Sequence, residues 1–284
     1  MVNRQQAGKK RRWLRWLNIV LVVYLLGGVT LYFLQDYMLF HPEKAARSQA
    51  YHFSEPNKEV NIPVSKESNI NVIQFRTNDS IPRGVVLYFH GNRKNISWYA
   101  KYAPNFTSQG YEVWMIDYPG FGKSTGLLTE KKMYDDALQL YILARSAYPP
   151  ERIIIYGKSL GTGVAGWLAA KRSCRKVILE TPYYSMTSLV QHYVPIYPVS
   201  ALLKYKLPLH TYLSIVNAPV TIFHGTNDKV IPYSNAQRLR ENLRPQDRFV
   251  TIEGGGHNNL NDYPEFHAVL DSVLQNEKAM DAIK

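Results

Sequence analysis

A serine at position 159 lies in a pattern suited to nucleophilic catalysis. A β-branched run at 153–155 leads into Gly157-Lys158-Ser159-Leu160-Gly161, and small helix-forming residues follow. A strand, a sharp turn and a helix in this order lift a serine hydroxyl clear of a sheet, and glycines on either side avoid collisions with the neighbouring strand and helix. The partial positive charge at the helix N-terminus favours an oxyanion. The pattern therefore predicts that Ser159 attacks a carbonyl group.

A serine hydroxyl becomes a good nucleophile only when a base takes its proton and a third group orients that base. Downstream of Ser159, Asp228 lies in a turn after one strand-like segment, and His257 lies in a glycine-rich loop after the next. Open α/β sheets place their sites beyond the carboxyl ends of the strands, so the three side chains are expected to meet there. We predict a catalytic triad of Ser159, Asp228 and His257.

The segments around these residues alternate between strand and helix patterns. Continuous apolar runs are typical of strands that are covered on both faces. Apolar residues at three- and four-residue spacing predict a helix over 130–148, with Thr129 as its cap and Pro149 as its stop. This alternation predicts an α/β domain. The other predicted elements are strands at 60–64, 70–75, Gly84–Phe89, 111–117 and Lys176–Glu180, and final helices at 232–242 and 265–283.

Five motifs spread over about residues 60–280 give the chain a family resemblance. They are Tyr88-Phe89-His90-Gly91-Asn92, Asp117-Tyr118-Pro119-Gly120-Phe121-Gly122-Lys123-Ser124, Gly157-Lys158-Ser159-Leu160-Gly161, His224-Gly225-Thr226-Asn227-Asp228 and Gly256-His257. The sequence resembles the serine α/β-hydrolase superfamily. More narrowly, it resembles membrane-anchored single-pass hydrolases related to serine aminopeptidases and monoacylglycerol lipases. The resemblance implies an α/β-hydrolase fold, with a mostly parallel central sheet flanked by helices and a small cap.

The resemblance also implies an oxyanion hole. Its donors would be the backbone N–H of Asn92, in the loop after a buried strand, and that of Leu160, directly after the nucleophile. His90 in the same loop could serve as a second base. In this motif such a histidine is more often a structural group that holds the loop, and we favour that role.

Two other acidic residues compete with Asp228 for the role of triad acid. Asp117 precedes the serine in the chain, so we interpret it as structural. Glu180 ends the strand Lys176–Glu180, where some α/β-hydrolases carry the acid, and it is the alternative acid. We favour Asp228 because residues 224–228 match the family pattern more fully. The neighbouring Lys158 could favour anionic substrates, but we expect it to be solvated.

The N-terminus predicts a membrane anchor. Residues 1–16 hold six basic and no acidic residues, half of the formal net charge of +12, and residues 17–34 carry no charge. Eighteen residues of helix span about 27 Å, close to a bilayer core of about 30 Å. A cleaved signal peptide is the rival, but no small-residue cleavage site follows closely. We predict a cytoplasmic tail at 1–16, a transmembrane anchor at 17–34, and a catalytic domain on the non-cytoplasmic side.

The remaining chain is long enough for one large α/β domain. We place a polar tether at 35–59 and the hydrolase domain at 60–284. Within the domain, residues 181–216 interrupt the alternation of strand and helix patterns and are rich in aromatic and aliphatic side chains. They could be a packed connection between elements. We favour a small cap over the active site, with an apolar lining for an acyl chain or a hydrophobic leaving group.

Several other site types find no support in the sequence. The eight histidines are scattered without metal-ligand spacing, and no glycine-rich phosphate loop is present, so we predict neither a metal nor a cofactor. Beyond the anchor, 28 basic residues stand against 22 acidic ones without an interleaved aromatic–basic strip, which argues against nucleic acid as a partner. The single cysteine, Cys174, is interpreted as structural or incidental.

These features together predict a membrane-anchored serine hydrolase. The expected substrate is a small acyl ester or thioester, which could be lipid-like, and the reaction would pass through an acyl-enzyme. A peptidase or amidase on the same triad is one alternative; it would need a carboxylate for the substrate amino terminus, and Glu180 is the candidate. The other alternative is a membrane-tethered binding protein without turnover.

Overall fold

A computed structural model of the chain describes residues 2–275, with side chains described from Arg11 onward. The strands are β1 (His41–Pro42), β2 (Asn57–Pro63), β3 (Asn69–Phe75), β4 (Gly84–Phe89), β5 (Arg93–Lys94), β6 (Tyr111–Ile116), β7 (Ile153–Lys158), β8 (Lys176–Glu180), β9 (Val220–Gly225) and β10 (Arg248–Ile252). The α-helices are α1 (Val2–Leu39), α2 (Ile96–Tyr99), α3 (Pro104–Thr107), α4 (Glu130–Arg145), α5 (Gly161–Lys171), α6 (Met186–Tyr193), α7 (Val199–Leu202), α8 (Leu209–Leu213), α9 (Tyr233–Ala236) and α10 (Pro264–Gln275). Single 3₁₀ turns occur at Ala100–Tyr102, Pro150–Arg152 and Leu260–Asp262, and a longer one at Gln237–Asn242.

Eight strands form the central sheet in the order β10-β9-β8-β7-β4-β6-β3-β2. Pairing is parallel from β10 to β6, and β3 pairs antiparallel with both of its neighbours, β6 and β2. Every residue of β4 and β7 is buried, as expected for parallel strands covered by helices on both faces. The carboxyl ends of the parallel strands therefore meet at one edge of the sheet, and the loops that follow them face each other there.

The α/β-hydrolase fold predicted from the sequence is confirmed, and most predicted elements are present with shifted ends. The Thr129 side chain caps α4 by accepting from the N–H of Lys132, but the helix ends at Arg145. The helix predicted over 232–242 is instead a four-residue helix followed by a 3₁₀ turn. Of the helix predicted over 265–283, the part beyond residue 275 lies outside the described residues.

The N-terminal helix α1 runs without a break to Leu39, past the end of the predicted anchor. Its stretch Arg11–Leu39 is long and apolar enough to cross a membrane, with a mean hydropathy of 2.2 over its best window. At 1.5 Å per residue these 29 residues extend about 43 Å, more than the bilayer core of about 30 Å. The helix therefore has about two turns more than a span requires, and this stretch exceeds the predicted anchor at both ends, by residues 11–16 in the predicted tail and residues 35–39 in the predicted tether.

The last turns of α1 pack against residues 181–216, the segment predicted as a cap. The Gln35 amide donates to the carbonyl oxygen of Leu202 at 3.1 Å, and its oxygen accepts the N–H of Lys204 at 2.8 Å. Three turns earlier in the helix, the Tyr24 ring stacks on that of Tyr197 with 4.8 Å between centroids. The three helices α6, α7 and α8 lie within the predicted cap, so α1 and the cap meet along one side of the molecule.

We expect Gln35→Ala to loosen this contact measurably. The substitution removes the acceptor of the Lys204 N–H, and a net hydrogen bond of about 1 kcal/mol corresponds to several-fold faster opening. Hydrogen exchange of the full-length protein should show the Lys204 amide exchanging about fivefold to tenfold faster. Tyr37→Ala is the control, because Tyr37 lies on the same helix with 78% of its surface exposed. Equal exchange rates at Lys204 in both variants would contradict the prediction.

Candidate active site

The turn after β7 holds Ser159 in a conformation unusual for a residue with a side chain. Its φ is 52°, in the left-handed region, where a non-glycine residue costs about 1–3 kcal/mol. The turn is also packed closely against its surroundings. A Cβ on Gly161 would collide with the carbonyl oxygen of Phe89 at the end of β4, and one on Gly157 would collide with the carbonyl of Gly161. The glycines are therefore required by the turn itself and by the adjacent strand.

Three side chains from separate strand ends form a hydrogen-bonded chain at this turn. His257 Nε2 lies 2.9 Å from Ser159 Oγ, and His257 Nδ1 lies 2.8 Å from Asp228 Oδ2. An ionised carboxylate only accepts hydrogen bonds, so Nδ1 carries the imidazole proton and Nε2 is left as an acceptor for the serine hydroxyl. The structure thus brings together the three residues predicted as a triad, in an arrangement able to remove a proton from Ser159.

The carboxylate of Asp228 is held in its ionised form. Its Oδ1 accepts the backbone N–H groups of Val230 and Ile231, each at 2.8 Å. Burial alone would raise the pKa of this carboxyl, but the hydrogen bond and charge of His257, with the Ile231 N–H, outweigh burial and lower the pKa below its ordinary value. Burial lowers the pKa of the adjacent His224, so this second imidazole stays neutral beside the acid.

The loop after β4 lies against the nucleophile. A Cβ on Gly91 would be 3.6 Å from Ser159 Cβ. The next residue, Asn92, turns its side chain away, and its Nδ2 donates to the carbonyl oxygen of Leu39 at 2.6 Å. Among the hydrogen bonds of residues 2–275, none is donated by the backbone N–H of Asn92 or of Leu160. Both predicted oxyanion donors are therefore uncommitted to protein acceptors.

The contact between Asn92 and Leu39 was not foreseen from the sequence. The main chain adds to it, because the N–H of His41 donates to the carbonyl of Asn92 at 2.9 Å and β1 then pairs with β5. The end of α1 is thereby bonded to the loop beside the nucleophile. No local sequence pattern indicates this contact, since the two partners are 53 residues apart and Leu39 lies in the segment predicted as a tether.

His90 and Asp117 form a buried pair on the far side of the same loop. His90 Nε2 lies 3.1 Å from Asp117 Oδ1, and its Nδ1 lies 2.7 Å from the carbonyl oxygen of Gly91. Asp117 Oδ1 also accepts the N–H of Ile96 at 3.0 Å, and burial raises the pKa of the Asp117 carboxyl. These contacts hold the loop in place, which agrees with the structural roles expected for both residues.

The carboxylate of Glu180 forms its hydrogen bonds with residues outside the predicted triad. Its carboxylate is bonded by the ammonium of Lys158 and by the hydroxyl of Tyr156, with Asn261 Nδ2 at 3.5 Å. Lys158 is only 1% exposed, so the expectation that it is solvated is wrong. The two residues are register partners at the ends of β7 and β8, and this pairing is what buries the lysine directly before the nucleophile.

We expect Lys158→Met to destabilise the protein by about 3–5 kcal/mol, because it leaves the Glu180 charge buried without a partner. Urea denaturation would measure the free energy of unfolding. Lys131→Met is the matched control: its ion pair with Asp135 is also formed by a lysine and a carboxylate, but the lysine is 84% exposed. A loss in Lys158→Met no larger than in Lys131→Met would contradict the prediction. Lys158→Met/Glu180→Leu should recover much of the loss.

Comparison with known proteins gives related sequences over most of the domain. Residues 80–215 match a family model described as serine aminopeptidase, S33. The human protein named alpha/beta hydrolase domain-containing protein 17B is 31% identical over 196 residues, 68% of this chain and 66% of that protein. The Mycobacterium tuberculosis protein Rv2307c is 26% identical over 249 residues, 86% of this chain and 89% of that protein. The chain thus spans about two thirds of the human relative's length.

Solved structures share the fold at lower identity. An esterase from Pyrococcus furiosus superposes with a TM-score of 0.65 at 17% identity, covering 83% of this chain and 97% of the esterase. The esterase domain of a Rhodothermus marinus protein gives a TM-score of 0.58 at 17% identity, covering 77% and 96%. With the motifs and the related sequences, the shared architecture identifies the family. The chain belongs to the α/β-hydrolases, in the group of the serine aminopeptidases and monoacylglycerol lipase-like enzymes.

Proposed function

We propose that the chain is a membrane-anchored serine hydrolase that cleaves an ester or thioester of an acyl, lipid-like substrate through an acyl-enzyme. The observation that carries the proposal is the hydrogen-bonded chain from Asp228 through His257 to Ser159. A serine whose hydroxyl faces an imidazole with a free acceptor nitrogen is poised for proton transfer and attack on a carbonyl.

In the proposed mechanism, His257 takes the proton of Ser159 as Oγ attacks the carbonyl carbon. The backbone N–H groups of Asn92 and Leu160 receive the oxyanion, each contributing about 3 kcal/mol to transition-state stabilisation. His257 then protonates the leaving group, and a water molecule deprotonated by the same imidazole releases the acyl group from the serine. Asp228 keeps the imidazole in the required tautomer and stabilises the imidazolium.

An ester or thioester is favoured over a peptide amino terminus as substrate. An aminopeptidase needs a carboxylate for the substrate ammonium, and the sequence offered Glu180 for that role. Its carboxylate is buried, neutralised by Lys158 and bonded by the Tyr156 hydroxyl, so it is unsuited to bind a further cation. The apolar character of residues 181–216 supports a hydrophobic acyl group instead.

Labelling of the full-length protein with a fluorophosphonate probe tests the nucleophile and the acid. We expect wild type to label, Ser159→Ala to show no labelling, and Asp228→Asn to label orders of magnitude more slowly because the imidazole loses its orienting anion. The comparison variant for Glu180 is Lys158→Met/Glu180→Gln, which removes both charges of the buried pair and should label at a rate near that of wild type. A folded wild-type protein that does not label would instead support a tethered binding protein.

We also propose that α1 anchors the protein with its N-terminus in the cytoplasm. The exposed apolar surface of α1 between Trp13 and Leu34 supports insertion in a bilayer. The six basic residues at 1–16 support the orientation, since short basic segments are retained on the cytoplasmic side.

Protease added to sealed cells tests this orientation. We expect the catalytic domain to be degraded from outside the cytoplasmic membrane, while a tag at the N-terminus survives until the membrane is opened with detergent. A cytoplasmic protein of known location serves as the control for sealing. A catalytic domain that is protected until detergent is added would reverse the proposed topology.

A further inference from the structure

Two adjoining apolar recesses follow the line where α1 meets the cap. The first has a volume of about 210 Å³ and lies between Leu31–Leu39 of α1 and the residues of α6 and α7. The second, about 290 Å³, lies further toward the N-terminus, beside Tyr24–Phe33. Both are lined by Tyr197 and Leu202, and the Tyr197 ring, stacked on Tyr24 of α1, lies at the boundary between them. We call the two adjoining recesses together the α1–cap groove.

The lining of the α1–cap groove suits only an apolar occupant. Among the residues that the structure describes, no charged side chain lines either recess. Both N–H groups of the Gln35 amide, which borders the first recess, donate to the carbonyls of Tyr32 and Leu202, and its oxygen accepts the N–H of Lys204. A polar ligand would therefore lose its hydrogen bonds to water on entering the groove without replacing them.

The inner end of the groove is bonded to both sides of the active site. On one side, the carbonyl of Leu39 accepts the side chain of Asn92 in the loop beside Ser159. On the other side, the hydroxyl of Tyr193 donates to the carbonyl of Val230 at 2.9 Å, and the N–H of Val230 donates to Asp228. Ser159 itself lines neither recess, and the groove ends between its two neighbouring loops.

The outer end of the groove extends along the apolar part of α1. From Tyr24 to Leu39 the helix rises about 22 Å, which is most of the thickness of a bilayer core of about 30 Å. Opposite this stretch the cap presents Ile196 with 70% of its surface exposed, and residues 181–203 contain no aspartate, glutamate, lysine or arginine. When α1 spans a membrane, the mouth of the groove therefore faces lipid.

We infer that the α1–cap groove binds the long acyl chain of a lipid ester resident in the same bilayer. The chain would lie along α1 with its carbonyl at Ser159, so that the substrate reaches the site sideways from the membrane without crossing water. This inference rests on the proposed function and adds to it the substrate class and the binding surface. The occupant is a lipid acyl chain because the groove is apolar, ends between the two loops that flank Ser159, and has the apolar helix α1 as one wall.

Two filling substitutions on opposite walls test the groove. Leu31→Trp narrows it from α1 and Val194→Trp narrows it from the cap, and both residues line the first recess. The full-length protein in phospholipid nanodiscs would be assayed with 4-nitrophenyl palmitate and 4-nitrophenyl butyrate, which share a leaving group. The measured quantity is the ratio of kcat/KM for palmitate to that for butyrate. This ratio is independent of the folded fraction, because misfolded protein lowers both rates equally.

We expect the ratio to fall at least tenfold in each variant, equivalent to about 1.4 kcal/mol of lost chain binding. The control is Leu34→Trp, on the same helix but outside both recesses, and it should keep the wild-type ratio. If either filling variant hydrolyses butyrate with an unchanged palmitate-to-butyrate ratio, the groove does not bind the acyl chain. The proposed hydrolase function is not affected by that result. A wild type that hydrolyses neither ester and does not react with a fluorophosphonate overturns both.

Discussion

The close approach of the turn at Ser159 to strand β4 is the constraint on which the active site depends. Only glycine at position 161 lets the start of α5 lie against the carbonyl of Phe89. The same approach brings the loop after β4 beside the serine, and within residues 2–275 the backbone N–H groups of Asn92 and Leu160 donate to no acceptor. The left-handed backbone of Ser159 costs free energy, and the bond from its N–H to the Glu180 carbonyl at 2.9 Å helps to hold it.

The buried pair of Lys158 and Glu180 explains why the acid comes from a later strand. The two residues end β7 and β8 opposite each other, so the lysine directly before the nucleophile neutralises the Glu180 carboxylate. A carboxylate bound in this way has no remaining role toward an imidazole. Asp228 lies one strand further along, where two backbone N–H groups bind one of its oxygens and leave the other for His257. The two acids thus have separate roles because their surroundings differ.

The apolar helix α1 and the α/β-hydrolase domain are joined more closely than a tether would allow. The end of α1 contacts the loop beside Ser159, and its preceding turns contact the cap through Gln35. Phe40, directly after the helix, is buried against Tyr205 of the cap with 4.7 Å between ring centroids. As a result, α1 is a wall of the substrate region in the proposed function as well as an anchor.

The sequence by itself determined the α/β-hydrolase fold, the apolar helix and the three residues that meet as Ser159, His257 and Asp228. These predictions rest on short-range patterns. A glycine-flanked turn, and residues just past the end of a strand, can be recognised from a few neighbouring residues. Only the tertiary structure decided that Lys158 is buried, that Glu180 is paired with it, and that α1 continues into the active-site loop. Each of those outcomes depends on contacts between segments that are distant in the chain, such as Leu39 with Asn92. The sequence around a charged or polar side chain does not indicate which partner it will meet, or whether it will be buried there.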